Sequence, residues 1–207
     1  MKLSIVNNLP DALRKNSIVI NIHQGQRLFR KGDRAECTYL IKHGRFQEIS
    51  YPEIGKIAVL QILNDGEVLG ESSLHTGVHH TTVVAQTDAQ VIAYPNYILL
   101  ETLKNYPLMI DATVEILTQK ISELQVRLEW RNISVAERRV LKYLKHKLRQ
   151  LSEAGNDSQT FTLNAPLQEI AAELGFVPGT LSRALAKLES DRQITRNKNR
   201  ITLNNVA

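Results

Sequence analysis

Three polar residues near the carboxyl end, Thr180, Arg183 and Lys187, are spaced three and four positions apart, so a helix would place them on one face. Arginine offers a planar fork that donates two hydrogen bonds to the edge of a guanine. Hydroxyl and ammonium groups donate to phosphate oxygens. The pattern predicts contact with DNA, with Arg183 on a base, Thr180 and Lys187 on phosphates, and the adjacent Ser182 suited to either.

A second basic group surrounds the polar turn Arg196-Asn197-Lys198-Asn199, with Arg200 directly after it. The flanking segments alternate polar and apolar residues, which predicts two strands. A basic hairpin that follows a helix pair is typical of a winged helix. Arg196, Lys198 and Arg200 would then neutralise DNA phosphates.

Two short helical patterns, 166–174 and 178–189, must position these groups. Proline begins each pattern, and Gly175 between them is suited to the positive φ that ends a helix. Apolar residues form one predicted seam: Ile170, Ala171, Leu174, Leu181, Ala184, Leu185 and Leu188. This is a helix-turn-helix, which places its second helix in the major groove. The alternative is an ordinary amphipathic hairpin on which Arg183 is a solvated charge.

Composition and charge narrow the class of protein. Residues 132–207 carry the whole formal net charge of +5, as expected of a segment that binds a polyanion. No apolar run is long enough for a membrane span and the first residues do not resemble a signal peptide, so we expect a cytoplasmic protein. The single cysteine, Cys37, excludes internal disulfides and an all-cysteine metal or iron–sulfur site.

The first hundred residues read as short strands separated by turns. Period-two segments occur at 18–22, 27–29, 38–41, 46–49, 58–60, 81–85 and 91–93. Many short strands at this spacing predict an antiparallel β-roll. With the helices that follow, the fold class is α+β.

A long helix follows from Pro107, with apolar residues at alternating spacings of four and three. A narrow heptad stripe of this kind favours a parallel two-stranded coil, although a helix lying on the roll would also carry an apolar stripe. The predicted dimer interface consists of Val114, Leu117, Ile121, Leu124 and Leu128, continuing from Ile110.

The residues after this helix predict a hinge at 132–134, since Trp130 interrupts the stripe and a new helix begins near Ser134. We therefore predict three parts: a sensor roll at 1–107, a dimerisation helix and hinge at 108–133, and a winged helix-turn-helix domain at 134–207. The new helix should bury Val140, Leu141, Leu144 and Leu148 and expose Arg138, Arg139, Lys142, Lys145 and Lys147.

This order of elements resembles the CRP/FNR family, that of the cyclic AMP receptor protein and the fumarate–nitrate reduction regulator of bacteria. Residues 24–33, 39–41 and 44–45 look like the first strands of the family's roll, and 66–74 with 82–85 like its phosphate-binding cassette. Residues 169–171, 174–175, 180–183 and 188–189 look like its DNA-binding signature. The resemblance implies a homodimeric regulator that binds double-stranded DNA and RNA polymerase.

The cassette departs from the family's nucleotide-binding pattern. In nucleotide-binding members, Gly-Glu holds the ribose, and an arginine followed by serine or threonine holds the cyclic phosphate. Gly70 and Glu71 match, but the arginine position falls on His79, which offers no permanent charge or fork. We expect weak or no cyclic AMP binding at the altered pocket, whose candidate residues are Gly70, Glu71, Ser72, His79, His80 and Thr81.

The sequence also lacks the residues that bind other effectors of the family. There is no cysteine cluster for an iron–sulfur sensor. His75, His79 and His80 fit a solvated polar loop better than a haem or metal site, and Cys37 fits packing better than redox sensing. We expect no cofactor or metal, and a different small-molecule effector stays open.

The DNA-reading helix departs from its relatives at Gly179, where many of them carry a glutamate that accepts from a cytosine amino group. Gly179 cannot make that contact, so we expect a different operator base there.

The sequence thus predicts a sequence-specific transcription regulator that acts as a homodimer on a pseudo-palindromic operator. A sensor that acts through a protein partner is the alternative. We expect no enzyme, because the sequence has no Gly-rich phosphate loop, no metal-spaced His/Cys set and no nucleophile with identifiable partners.

Overall fold

The computed structural model describes residues 9–51, 57–153, 159–163 and 165–204, with backbone alone at 152 and 153. The chain divides into two compact units, Met1–Gln119 and Lys120–Ala207. No helix in the described ranges is long and apolar enough to cross a membrane.

Unit 1 is built from eight described strands and two short helices. The strands are β1 (Ile18–Ile22), β2 (Arg27–Phe29), β3 (Cys37–His43), β4 (Phe46–Ser50), β5 (Ala58–Leu63), β6 (Val68–Leu69), β7 (Thr82–Ala85) and β8 (Ala89–Pro95). The helices are α1 (Asp11–Asn16) and α2 (Asn96–Asn105). The strands form two antiparallel sheets, ordered β1-β8-β3-β6 and β2-β7-β4-β5. The predicted β-roll is confirmed.

Both sheets contribute to one apolar core, which is why they pack face to face. Phe46 and Leu63 come from one sheet, Ile41, Leu69 and Val91 from the other, and all five are buried. Glu48 stands opposite Gln61 on β5 and Val83 on β7, on the same face of its sheet as Phe46. A carboxylate thus lies on the inner side of the roll.

The long helix α3 (Pro107–Arg131) belongs to both units. Its predicted stripe residues are all exposed in the single chain, from 39% at Leu117 to 63% at Leu128. The stripe is therefore an apolar surface that this chain by itself leaves open to water.

Unit 2 contains the remaining elements. They are α4 (Ala136–Glu153), β9 (Thr160–Thr162), α5 (Leu167–Glu173), α6 (Pro178–Ser190), β10 (Ile194–Asn197) and β11 (Arg200–Leu203). The three strands form one sheet in the order β10-β11-β9. Its core joins α4 to the helix pair and to the strands, and it includes every residue of the predicted helix-turn-helix seam. The predicted winged helix-turn-helix fold is confirmed.

The last turns of α3 pack into this same core. Trp130, read from the sequence as a break in the stripe, is 3% exposed and packs edge-on against Tyr143 of α4. Val126 packs on the core as well. The end of the segment predicted as a separate dimerisation helix and hinge, 108–133, is thus packed together with α4.

Candidate nucleic-acid interface

The helix pair α5–α6 has the backbone of a tight helix-turn-helix. Gly175 adopts φ 71°, and the Phe176 amide donates to the Ala171 carbonyl at 2.7 Å, which closes the end of α5. Val177 is extended, and Pro178 occupies the first turn of α6, where a missing N–H costs nothing. The turn was predicted correctly from its proline and glycine positions.

One side of α6 is buried and the other is open. Leu181, Ala184, Leu185 and Leu188 are buried, whereas Gly179, Ser182 and Arg183 are exposed and Thr180 is half-buried. Arg183 Nη2 lies 3.4 Å from the Thr180 hydroxyl, one helical turn earlier. This contact is long and exposed, so the guanidinium fork is available to another acceptor.

Lys187 is on the exposed side as well, but it has a partner. Its ammonium donates to the Asp191 carboxylate at 2.9 Å, and this hydrogen bond, with the charge of Asp191, raises the pKa of Lys187. A phosphate would compete with Asp191 for the ammonium, but both side chains are exposed and such pairs contribute little, so Lys187 can exchange this partner.

The strands β10 and β11 form the predicted basic hairpin, here called the wing. Asn197 pairs with Arg200, which leaves Lys198 and Asn199 as a two-residue turn, with Lys198 at φ 54°. Lys198 and Arg200 are exposed and Arg196 is half-buried. The Arg196 amide donates to the Glu189 carboxylate at 3.2 Å, so the wing is joined directly to the end of α6.

Arg139 does not point outward as predicted; it is half-buried among backbone carbonyls. Nε and Nη2 donate to the Ile133 carbonyl at 2.9 and 2.6 Å, Nη2 also reaches the Arg131 carbonyl at 3.1 Å, and Nη1 donates to that of Leu174 at 2.9 Å. Burial and the neighbouring Arg131 lower the pKa of Arg139. Since arginine stays protonated in proteins, this guanidinium is a structural cation and not a surface charge.

A buried ion pair joins α3 to α5. Arg127 Nε lies 3.6 Å from a Glu173 carboxylate oxygen, with side chains only 14% and 10% exposed. An exposed pair, Lys142 with Glu129 at 2.6 Å, joins α3 to α4. Both pairs attach the last turns of α3 to the helices that carry α6.

The effector cassette in the roll has the predicted backbone but an unexpected histidine. Gly70 has φ 83° and precedes a single 3₁₀ turn at Glu71–Ser73, with Glu71 half-buried and Ser72 exposed. His79, predicted to be solvated, is 2% exposed and stacks on Phe29, while His80 is exposed. Burial is the main reason that the pKa of His79 is lowered, so its ring is neutral near pH 7.

Thr81, two residues after His79 in the predicted phosphate-binding segment, already has a hydrogen-bond partner. The Thr81 hydroxyl donates to the Glu48 carboxylate at 2.5 Å, and the Gln61 amide donates to the other Glu48 oxygen at 2.5 Å. Glu48 lies on the inner face of the roll, so a carboxylate lies beside the position where the family resemblance places a phosphate.

In the described ranges no group of three or more His, Cys, Asp or Glu is placed to hold a metal ion. His80 contacts the Thr76 hydroxyl at 3.1 Å, on an exposed part of the same loop. Burial raises the pKa of the Cys37 thiol, which makes it a poor nucleophile.

Sequence reasoning missed the parts played by Arg139 and Glu48. Arg139 follows Ala136 by three positions and precedes Tyr143 by four, so helical spacing alone places it at the edge of the buried face of α4. Glu48 alternates with Phe46 on β4, which indicates an inward position. Its partner Thr81 comes from a distant strand, and spacing offers no signal for that contact.

Comparison with known proteins identifies both domains. A cyclic nucleotide-binding domain matches residues 19–106, and a Crp-like helix-turn-helix domain matches residues 138–207. The global nitrogen regulator of Synechococcus elongatus is 26% identical over 185 residues, which cover 88% of this chain and 83% of that protein. The structure of a CooA double mutant from Carboxydothermus hydrogenoformans superposes with a TM-score of 0.79 at 17% identity, covering 99% of this chain and 92% of that one.

Part of the chain also resembles a segment of a much longer protein. Patatin-like phospholipase domain-containing protein 6 of Mus musculus is 29% identical over 101 residues, which cover 48% of this chain. The chain spans only 8% of the length of that relative. The similarity therefore concerns a small part of a larger protein.

Proposed function

The chain belongs to the CRP/FNR family of transcription regulators, since it joins that family's two domain types, and we propose that it binds a pseudo-palindromic operator as a homodimer. The observation that carries this proposal is the open side of α6. It presents Arg183 with Thr180 and Ser182, while the opposite side is fixed by four buried residues. A helix so mounted enters the major groove as a unit.

Arg183 is the proposed base-reading residue. Its side chain is exposed on the second helix of the motif, and its one contact to Thr180 is at the limit of a hydrogen bond. A bidentate contact to guanine O6 and N7 contributes about 1–3 kcal/mol of discrimination. Ser182 is placed to reach a base or a phosphate, and Gly179 leaves the neighbouring base edge without a side-chain partner.

The phosphate contacts are proposed for Thr180, Lys187, Arg196, Lys198 and Arg200. Lys198 and Arg200 are exposed at the tip and on the last strand of the wing, which Glu189 holds against the end of α6. Each neutralised phosphate releases counterions, so binding should fall steeply with salt. Lys187 must first exchange Asp191 for the phosphate.

The dimer is proposed to form through the stripe on α3. Val114, Leu117, Ile121, Leu124 and Leu128 are each at least 39% exposed in the single chain. A second copy would cover them with the same residues, which is how a two-fold interface is built. Two copies of α6 would then occupy successive major grooves about 34 Å apart.

The residues at the phosphate position of the roll argue against a cyclic nucleotide as its ligand. The neutral ring of His79 stands at the arginine position, and the Thr81 hydroxyl already donates to Glu48. A cyclic phosphate would meet a carboxylate there, and like charges repel. We propose that operator binding requires no cyclic AMP. A different small molecule that acts on the roll, and RNA polymerase as a partner, remain parts of the proposal.

The test is selection of duplexes from a randomised pool by the full chain, with and without cyclic AMP, followed by salt titration on the enriched sequence. A two-fold symmetric motif enriched equally in both conditions supports the proposal. Enrichment only with cyclic AMP contradicts the effector part. No enrichment in either condition favours a sensor that acts through a protein partner.

Arg183→Ala and Ser190→Ala are the matched variants for this test. Arg183→Ala should lose discrimination at one base pair per half-site, by about 1–3 kcal/mol. Ser190 lies at the last position of α6, where its hydroxyl donates to the Lys187 carbonyl, so its removal should leave the motif unchanged. Unchanged discrimination in Arg183→Ala would contradict the base-reading role.

A further inference from the structure

Arg139 lies on α4, outside the surface proposed to read bases, yet its guanidinium contacts three separate segments of unit 2. It donates to the carbonyl of Arg131 at the end of α3, to that of Ile133 in the linker, and to that of Leu174 at the end of α5. Its Cζ also lies 4.5 Å from the centre of the Phe176 ring, in the turn before α6. One side chain thus joins the end of α3 to the helix-turn-helix.

The hydrogen bonds of Arg139 fix the relative direction of the segments that they connect. Carbonyls at the ends of helices lack intrahelical donors and need other partners. The rigid plane of a guanidinium fixes the direction of each N–H, so all the carbonyls are held in one geometry. A lysine ammonium in the same place is a single point donor and cannot reach all of them at once.

Contacts of α3 with α5 and α4 also attach the end of α3 to the helix-turn-helix. Arg127 on α3 pairs with Glu173 at the end of α5, and Trp130 is buried among the side chains of α4. The turn before α6 is therefore attached to α3 through α5 as well as through Arg139. The linker at 132–134, predicted as a hinge, has its Ile133 carbonyl held twice by Arg139.

We propose that Arg139 is a positioning residue for DNA reading: it fixes the direction of α6 relative to the last turn of α3, and so determines which half-site spacing a dimer accepts. This inference rests on the proposed function, because spacing has meaning only for a dimer on two half-sites. Arg139 itself touches no base. Its effect reaches the DNA through α6.

The experiment compares full-length wild type, Arg139→Met and Arg139→Lys on operators whose half-sites are moved one base pair closer or further apart. Wild type should prefer one spacing by ~10-fold or more, since a helix rotated about the duplex axis loses its register. Arg139→Met and Arg139→Lys should retain binding but reduce the preference to ~3-fold or less, because neither side chain holds all the carbonyls. The slope of log affinity against log salt should not change.

Arg138→Met is the matched control, because Arg138 is the adjacent residue and is exposed. It removes the same charge from the surface of α4, and it should keep the spacing preference. If it contacts a phosphate it should lower the salt slope by about 1. This pattern separates the loss of a positioning contact from the loss of a charge.

Each outcome decides one question. A partly unfolded variant would lower the active fraction on every operator equally and would leave the preference as it was. If both Arg139 variants keep the wild-type preference, the positioning role is refuted. A wild-type chain that binds operators without any spacing preference, or binds none, refutes the proposed dimeric function instead.

Discussion

The imidazole ring of His79 lies flat on the phenyl ring of Phe29, with centroids 3.6 Å apart and planes inclined by 7°. Gly70 makes room for this stack, because a Cβ on Gly70 would stand 3.3 Å from His79 Cε1. Within the described ranges His79 Nδ1 is buried without a hydrogen-bond partner. The ring is thus accommodated as an aromatic core residue, which a charged imidazolium could not be.

Stability of the roll should therefore depend on pH through His79. Burial, with His80, lowers its pKa, and the opposing charges of Asp33 and Glu48 are the smaller influence. Below about pH 6.5 the unfolded chain binds more protons at this histidine than the folded chain does. The contribution of the neutral His79 ring to the free energy of unfolding is therefore fully present above that pH and is lost as the pH falls toward the lowered pKa. Urea denaturation should give a smaller free energy of unfolding at pH 5.5 than at pH 7.5.

His79→Phe keeps a stacking ring and does not titrate, so the decrease should be smaller in that variant. His80→Gln serves as the control because His80 is exposed. An equal decrease in wild type and His79→Phe would show that other groups cause it.

Gly179→Glu should change the operator in a defined way. A Cβ at Gly179 meets nothing within 4 Å, so a side chain fits without strain, and a carboxylate in the first turn also interacts favourably with the helix dipole. The new carboxylate should favour cytosine at one base pair per half-site by about 1–3 kcal/mol. Duplex selection with the variant measures it.

Gly179→Ala is the control for backbone effects, because it adds the Cβ without the acceptor. If Gly179→Ala and Gly179→Glu enrich the same bases, residue 179 does not face a base edge.

Ile121→Lys should break the proposed dimer. Ile121 is 56% exposed in the single chain and lies in the middle of the stripe, so a second copy would bury the new charge. An unpaired buried charge costs about 3 kcal/mol or more. Analytical ultracentrifugation should show a monomer at concentrations where wild type is a dimer, and operator affinity should fall with it.

Gln125→Lys adds the same charge to an exposed residue next to the stripe. It should leave the dimer intact. A monomeric wild type, or a dimeric Ile121→Lys, would exclude this stripe as the interface.

Glu173→Ala should destabilise unit 2 far more than Glu129→Ala does. Glu173 is buried and its removal leaves Arg127 without that carboxylate, which costs about 3 kcal/mol for a buried pair. Glu129 pairs with Lys142 in water, where both side chains are about half exposed, and such pairs contribute little. Chemical denaturation of the two variants under the same conditions measures the difference, and equal losses would contradict it.

Local patterns predicted most of the architecture because they report local physics. The prolines and Gly175 placed the helix-turn-helix, and alternation placed most strands of the roll. Two strands were missed. β6 has two residues, too few to show a period. β9 has three residues and pairs with β11, which lies some forty residues away in sequence, so no local pattern indicates it.

The candidate site shows the same limit. Exposure of Arg183 follows from the spacing of the leucines around it, and the Lys187–Asp191 pair follows from a separation of four residues. The burial of Arg139 and His79 does not follow from residue spacing, because it depends on carbonyl groups and rings that other elements of the fold supply. A charged residue reads as exposed from sequence until its tertiary partners are known.

Trp130 is the only tryptophan of the chain, and it lies in the core of unit 2 between Tyr143 and His146. Its fluorescence emission consequently reports on one half of the protein alone: the spectrum shifts to the red when water enters that core, whatever the roll is doing. If circular dichroism shows two thermal transitions, Trp130 fluorescence identifies which of them belongs to unit 2. The emission transition marks the unit that carries α6, and any other transition belongs to the roll.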